Sequence, residues 1–172
     1  MNNLTKLVLR RKSIRRFAEC SISDLQINTM LKAAMAAPTA KNAQPWHFVV
    51  IEDPDMLQYL SERLPYAKML SSAALAIVIC GDTQVHTGES AHNWMLDCAA
   101  ATQNLLLVAE SMDFGAVWTG CYPYKERIGV VQEVLELPDH IMPLNVIPIG
   151  APKGNERPLD KWKPERIHKE KW

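Results

Sequence analysis

Two polar segments in the first third of the chain carry the residue types best suited to binding chemistry. The first runs Arg10-Arg11-Lys12-Ser13-Ile14-Arg15-Arg16-Phe17, a dense row of cations with a hydroxyl among them. The second runs Ala37-Pro38-Thr39-Ala40-Lys41-Asn42-Ala43-Gln44-Pro45-Trp46 and sets a hydroxyl and side-chain amides on a proline-bounded turn. Clustered cations suit a phosphate monoester, because a dianion needs several charge-assisted hydrogen bonds. Amides and a hydroxyl suit the edge of a flat heterocycle, where donors and acceptors alternate. Together the segments point to a phosphorylated planar cofactor, and flavin mononucleotide (FMN) fits that description best.

Each segment also has a plainer reading. A charge run is most often a solvated face. Asn42 and Gln44 can equally cap backbone groups in a helix-to-strand loop. The basic run gains weight from Lys161, Lys163 and Arg166 near the other end of the chain, which could join it around one phosphate. Other chemistries find less support. The histidines (His47, His86, His92, His140 and His168) show no HxxxH spacing and none lies beside a cysteine pair, so no metal site is expected. There is no GxSxG elbow, no GxxxxGK[ST] loop and no GxGxxG turn. Cys121 follows Gly120, but no motif supplies it with a base, and a packed thiol is the better reading.

These segments must be positioned by a fold, and its elements can be read in outline. A helix is expected over 24–37, capped by Ser23 or Asp24, with Leu25, Ile27, Met30, Leu31 and Ala34 as its apolar face and Pro38 as its stop. Residues 46–51 read as a strand from their aromatic and β-branched content, and Pro54 opens a helix reaching about residue 64. The continuous apolar run 74–80 has the signature of a strand covered on both faces. Residues 91–112 form the longest helical segment, apolar around nearly its whole circumference, so either a monomer core or a subunit interface must cover it. A short strand over 115–120, a helix over 124–135 and a strand over 144–149 follow. From Gly150 onward prolines and cations dominate. Trp162 and Trp172 are costly to expose, so this tail should pack on something. The mixed order of strands and helices implies an α+β fold.

Bulk properties narrow the classes. At 172 residues the chain fits one domain with a full core. A formal net charge of +0 argues against a nucleic-acid or membrane-surface partner and leaves self-association unopposed. No run is long and apolar enough for a membrane span or the core of a signal peptide. Cys20, Cys80, Cys98 and Cys121 form no CxxC pair and read as reduced thiols in a cytoplasmic protein.

With those residues in place, the chain resembles the nitroreductase family of FMN-dependent oxidoreductases, as a short member. The resemblance runs through residues 11–17, 37–46, Lys68-Met69-Leu70, 115–123 and 158–168, closed by Trp172. It implies a mostly antiparallel central sheet flanked by helices. It also implies one domain over 1–172, with 150–172 as an arm on the partner subunit of an intertwined homodimer. By this match Arg11, Lys12, Ser13 and Arg15 reach the phosphate, ribityl chain and pyrimidine ring of tightly bound, non-covalent FMN, and Lys161 and Lys163 complete the phosphate clamp. Pro38, Thr39, Ala40 and Asn42 come from the other subunit with Gln44 as support, Lys68 lies near the polar edge of the ring, and Trp118, Thr119 and Gly120 lie against the ring near N5. The glutamate that larger members carry at the Gly120 position is absent, which leaves the N5 contact and the substrate pocket open.

The resemblance implies ping-pong hydride transfer from NADH or NADPH through flavin N5 to a small electron-poor acceptor, a nitroaromatic or a quinone. The flavin carries the chemistry, so no side-chain acid or base is assigned. Two alternatives stay open: a flavin-binding or redox-sensing protein with poor turnover, and a specialised flavin reaction such as reductive dehalogenation. A nucleic-acid reading of the 10–16 run conflicts with the neutral charge.

Overall fold

The computed structural model describes residues 2–172. Its strands are β1 (Phe17–Ala18), β2 (Trp46–Ile51), β3 (Leu75–Asp82), β4 (Gly115–Ala116), β5 (Thr119–Gly120) and β6 (Ile141–Pro152). Its helices are α1 (Asn3–Arg10), α2 (Asp24–Met35), α3 (Pro54–Arg63), α4 (Asn93–Ser111) and α5 (Lys125–Val134). The strands form one sheet in the order β1-β6-β3-β2, with β4 and β5 also pairing with β6, and every strand pairing is antiparallel. This is the α+β architecture expected.

β3 shows why the apolar run near residue 75 must be covered twice. Leu75, Ile77 and Ile79 pack into a core shared with α2 and α4, while Ala76, Val78 and Cys80 pack into a second core against α3 and α5. The two-residue period of a strand divides the run between the faces. Burying each large aliphatic side chain contributes about 1.5–3 kcal/mol, so helices on both faces are the stable solution.

Local chemistry sets the boundaries. Ser23 caps α2 in a capping box: its backbone N–H donates to Gln26 Oε1 at 2.9 Å and its hydroxyl accepts from the Gln26 N–H at 3.4 Å. Asp53 caps α3 by accepting from the Asp55 N–H at 2.9 Å, with Pro54 at the first helical position.

Several expectations need correction. Leu25 is not on the buried face of α2; it is 76% exposed, and Ile27, Met30 and Ala34 carry that contact. α4 is covered around most of its circumference within one chain and leaves Leu96, Gln103 and Ser111 exposed. Trp94, Cys98, Ala101, Leu105 and Ala109 face the core, but Leu96 is 69% exposed. The short strand over 115–120 is two separate strands, β4 and β5, each added to β6. β6 itself extends well beyond 144–149. Its prolines, which lack a donor, hide the strand pattern, and a register shift between Ile79 and Cys80 accommodates it beside Pro143. α1, absent from the expected elements, is capped by Asn2, whose side chain accepts from the Thr5 N–H at 2.8 Å. The tail from Lys153 is tied to its own chain only at its start, where the Lys153 N–H donates to the Arg16 carbonyl at 2.9 Å and Glu156 pairs with Arg16, and beyond Glu156 it stays exposed. Trp162 is 69% exposed, and Trp172 is exposed with its ring stacked on that of His168 at 4.3 Å.

Candidate flavin site

The basic segment leaves α1 and is pinned to the sheet at once. The Ile14 N–H donates to the Ala116 carbonyl at 3.0 Å, and Ser13 bridges to Ala116 in parallel register. Gly115 permits this approach, because a Cβ there would lie 2.6 Å from Ile14 Cγ2. Ile14 is buried at 1% exposure, so Ser13 and Arg15, on either side of it, are turned outward.

Not every cation in the segment is free. Glu110 lies 3.3 Å from Arg10 Nε and 3.3 Å from Lys12 Nζ. Arg16 holds Glu156 Oε1 at 2.9 and 3.1 Å, which lowers the Glu156 carboxyl below its ordinary range. Among the described residues, Arg11, Arg15, Lys68, Lys161 and Lys163 have no carboxylate within ion-pair distance.

These cations converge. Arg11, Lys12, Ser13, Arg15 and Lys161 line one groove of about 930 Å³, with Val8, Leu9, Leu159 and Trp162 as its apolar walls. Arg15 also lines an adjoining cavity of about 400 Å³ with Lys68. The groove thus joins residues from both ends of the chain. Lys163 lies just beyond it, exposed.

The amide-bearing loop lines neither cavity. It has its own anchor. Thr39 Oγ1 accepts from the Gln44 N–H at 3.3 Å, and Gln44 Nε2 donates to Asn42 Oδ1 at 3.0 Å, so the two amides bond each other rather than capping backbone. Pro38 is exposed, and Ala40 donates its N–H to Asp97 Oδ1 at 3.0 Å. The other Asp97 oxygen lies 3.0 Å from His86 Nε2, and both side chains are buried. Lys41, Asn42 and Gln44 all have φ near +50° to +56°. That region costs about 1–2 kcal/mol for an L-residue, so the loop conformation is imposed by its surroundings.

Trp118, Thr119 and Gly120 reach the sheet as β5 and its lead-in. Thr119 Oγ1 donates to the Val146 carbonyl, and the Gly120 carbonyl accepts from Arg127 Nη1 at 2.9 Å. Cys121 beside them is 2% exposed, and burial pushes its thiol up to about 12 despite the opposing field of Arg127, so it stays protonated at neutral pH. Asp97, His86, Glu110 and Arg127 hold these segments in place yet carry no local sequence signal. Asp97 and Glu110 reach partners in the first third of the chain, Ala40 for one and Arg10 with Lys12 for the other, while His86 and Arg127 meet theirs only through a turn of the local fold.

The donor set fits a phosphorylated planar cofactor. Several unpaired cations and a hydroxyl meet in one groove at the phosphate end, and more positive charge lies next door at Lys68. Known proteins resemble this chain over its whole length. The chain is 41% identical over 175 residues to a protein of Archaeoglobus fulgidus provisionally named NADH dehydrogenase/NAD(P)H nitroreductase, covering 100% of each. A crystal structure from Parabacteroides distasonis with the same provisional name superposes with a TM-score of 0.95 at 45% identity, covering 100% of each chain. Another, of a provisionally named nitroreductase from Desulfovibrio desulfuricans in complex with FMN, has a TM-score of 0.84 at 26% identity and covers 100% of this chain and 99% of that one. The Nitroreductase family model matches residues 8–65 and 58–151, and the chain belongs to the nitroreductase family.

Proposed function

We propose that this chain is an FMN-dependent NAD(P)H oxidoreductase acting as a homodimer. The observation that carries the reading is the groove in which Arg11, Lys12, Ser13 and Arg15 meet Lys161 from the far end of the chain, in a member of the nitroreductase family. FMN held there would supply two-electron redox chemistry at N5 between NADH or NADPH and a small acceptor, a nitroaromatic or a quinone, in ping-pong order.

The chain's own residues bind and orient. Arg11 and Lys161, with Lys163 at the rim and Lys12 partly committed to Glu110, supply charge and N–H donors to the phosphate. Ser13 adds a hydroxyl, and Arg15 with Lys68 offers positive charge to the pyrimidine end of the ring. Pro38, Thr39, Ala40, Asn42 and Gln44 serve the site of the partner subunit, which is consistent with their lying outside the groove of their own chain. Trp118, Thr119 and Gly120 present a backbone edge to the ring. The four cysteines are free, which suits a reducing compartment such as the cytoplasm.

The test is direct. The purified protein should be yellow, or become so with added FMN, at about one flavin per chain. A colourless protein that leaves FMN fluorescence unchanged on titration would overturn the reading.

A further inference from the structure

Arg127 is a cation without a carboxylate partner among the described residues. It sits on α5 with Nη1 bonded to the Gly120 carbonyl at 2.9 Å. Its guanidinium lies over the Tyr124 ring, 3.9 Å from the centroid, and 5.7 Å from the Tyr66 centroid. Among the described residues no carboxylate lies within ion-pair distance of it, and its remaining N–H groups have no hydrogen-bond partner. Arg63 gives the contrast within the same molecule. It also stacks on a tyrosine, Tyr59, but Glu133 neutralises it with contacts of 2.7 and 2.8 Å. The Arg63 arrangement is structurally complete, and the Arg127 arrangement is not.

The surroundings have the same unfinished character. Tyr66 is 83% exposed and held at φ +61°, a conformation a tyrosine avoids unless its surroundings impose it. Tyr124 and Trp118 are also exposed, and Trp118 Nε1 would lie 3.8 Å from a Cβ placed on Gly120. Aromatic faces and one oriented, unpaired guanidinium therefore ring the segment that the proposed function sets against the flavin. A rigid guanidinium edge recognises a planar anion, and exposed rings beside it stack on a planar π-system.

We propose that Arg127, oriented by Gly120 and Tyr124, is a specificity-determining residue that selects planar aromatic electron acceptors bearing a carboxylate, sulfonate or phosphate group, with Tyr66 as the stacking wall. This rests on the FMN reading for the source of the electrons, but the binding preference is a property of the apoprotein surface and the loaded protein alike. A pyridine nucleotide shares the chemistry of an aromatic ring with an attached anion, so the test must separate it from an acceptor.

The experiment uses the full-length protein as purified, with its flavin content determined first from the absorbance spectrum. Titration calorimetry without reductant compares 4-nitrobenzoate with nitrobenzene. Stopped-flow reduction by NADH and by NADPH is measured on the same samples. The protein should prefer 4-nitrobenzoate, and Arg127→Gln should weaken its binding about tenfold, as expected for losing one charge-assisted contact, and this loss should exceed any change for nitrobenzene or for either reductant that follows from releasing Gly120. Tyr66→Ala should weaken both aromatic ligands. Equal losses for the charged and neutral ligands in Arg127→Gln, or no preference in the parent protein, would overturn the proposal and reduce Arg127 to a brace for Gly120. A loss confined to NADPH would also overturn it, by assigning the cation to the reductant. A protein that takes up no FMN refutes the earlier reading instead, and the spectrum reports that separately.

Discussion

Arg11 and Lys161 differ from Arg10 and Arg16 in what stands across from them. Arg10 faces Glu110 and Arg16 faces Glu156, whereas Arg11 and Lys161 line the groove with no carboxylate within ion-pair distance among the described residues, although Glu156 and Asp160 share the lining. An unpaired cation in a shared groove raises the local affinity for an anion far more than one already neutralised. Arg11→Ala or Lys161→Ala should therefore weaken FMN binding by about 1.5–3 kcal/mol, roughly ten- to a hundredfold in dissociation constant. Lys125→Ala, on the exposed start of α5, should leave it unchanged. Fluorescence titration distinguishes these outcomes, and unchanged affinity in both groove variants would place the phosphate elsewhere.

Asp97 joins three elements at one carboxylate. From α4 it accepts the Ala40 N–H of the amide loop and meets buried His86 from the segment ahead of the helix. A buried carboxylate with both oxygens engaged fixes its partners, and removing it leaves a donor and an imidazole without an acceptor. Asp97→Ala should lower stability by about 1–3 kcal/mol. It should also weaken FMN binding by freeing the loop at Thr39–Gln44. Asp97→Asn should be milder on both counts, since its amide oxygen can still accept from Ala40. Urea unfolding and FMN titration on the same preparations check this. A stability loss in Asp97→Ala with FMN affinity intact would show that the anchor and the flavin contact are independent.

The whole molecule presents apolar surface that its own chain leaves uncovered. Leu4, Val8 and Leu9 on α1, Leu96 on α4 and Leu159, Trp162 and Ile167 in the tail are all more than 40% exposed. Surface of this extent from three separated segments is what a subunit interface covers. The homodimer proposed above accounts for it, with the far end of the tail laid against the partner, Lys161 kept in the groove of its own chain, and the amide loop completing the partner's site. Flavin binding and assembly are then linked, because a ligand that binds the dimer alone stabilises it. Removing residues 154–172 should lower FMN affinity and dimer stability together. Sedimentation at micromolar concentration should give about twice the chain mass of 19.4 kDa for the intact protein. A truncated monomer that holds FMN as tightly as the full chain would overturn the link.

How much of this was legible in the sequence follows from the range of the forces involved. Caps and periodicity act within a few residues, so Ser23 with Gln26, the alternating faces of β3 and the helix behind Pro54 could be read directly. So could the cationic and amide segments, because phosphate and ring-edge chemistry is written in residue type. The extent of β6 could not, since Pro143 and Pro148 obscure a strand that long-range pairing with β3 imposes. Nor could the exposure of Leu96 on α4 or of Leu25 on α2. Apolar content says how much surface must be covered, and only packing says which residues cover it. The division of the basic run into neutralised and free cations depended on where Glu110 and Glu156 fell, about a hundred residues or more away. The orientation of Arg127 by Gly120 and Tyr124, and of Ala40 by Asp97, likewise came from the tertiary structure alone. Residue type determines what a group can bind, and the fold determines whether that capacity is already satisfied within the chain.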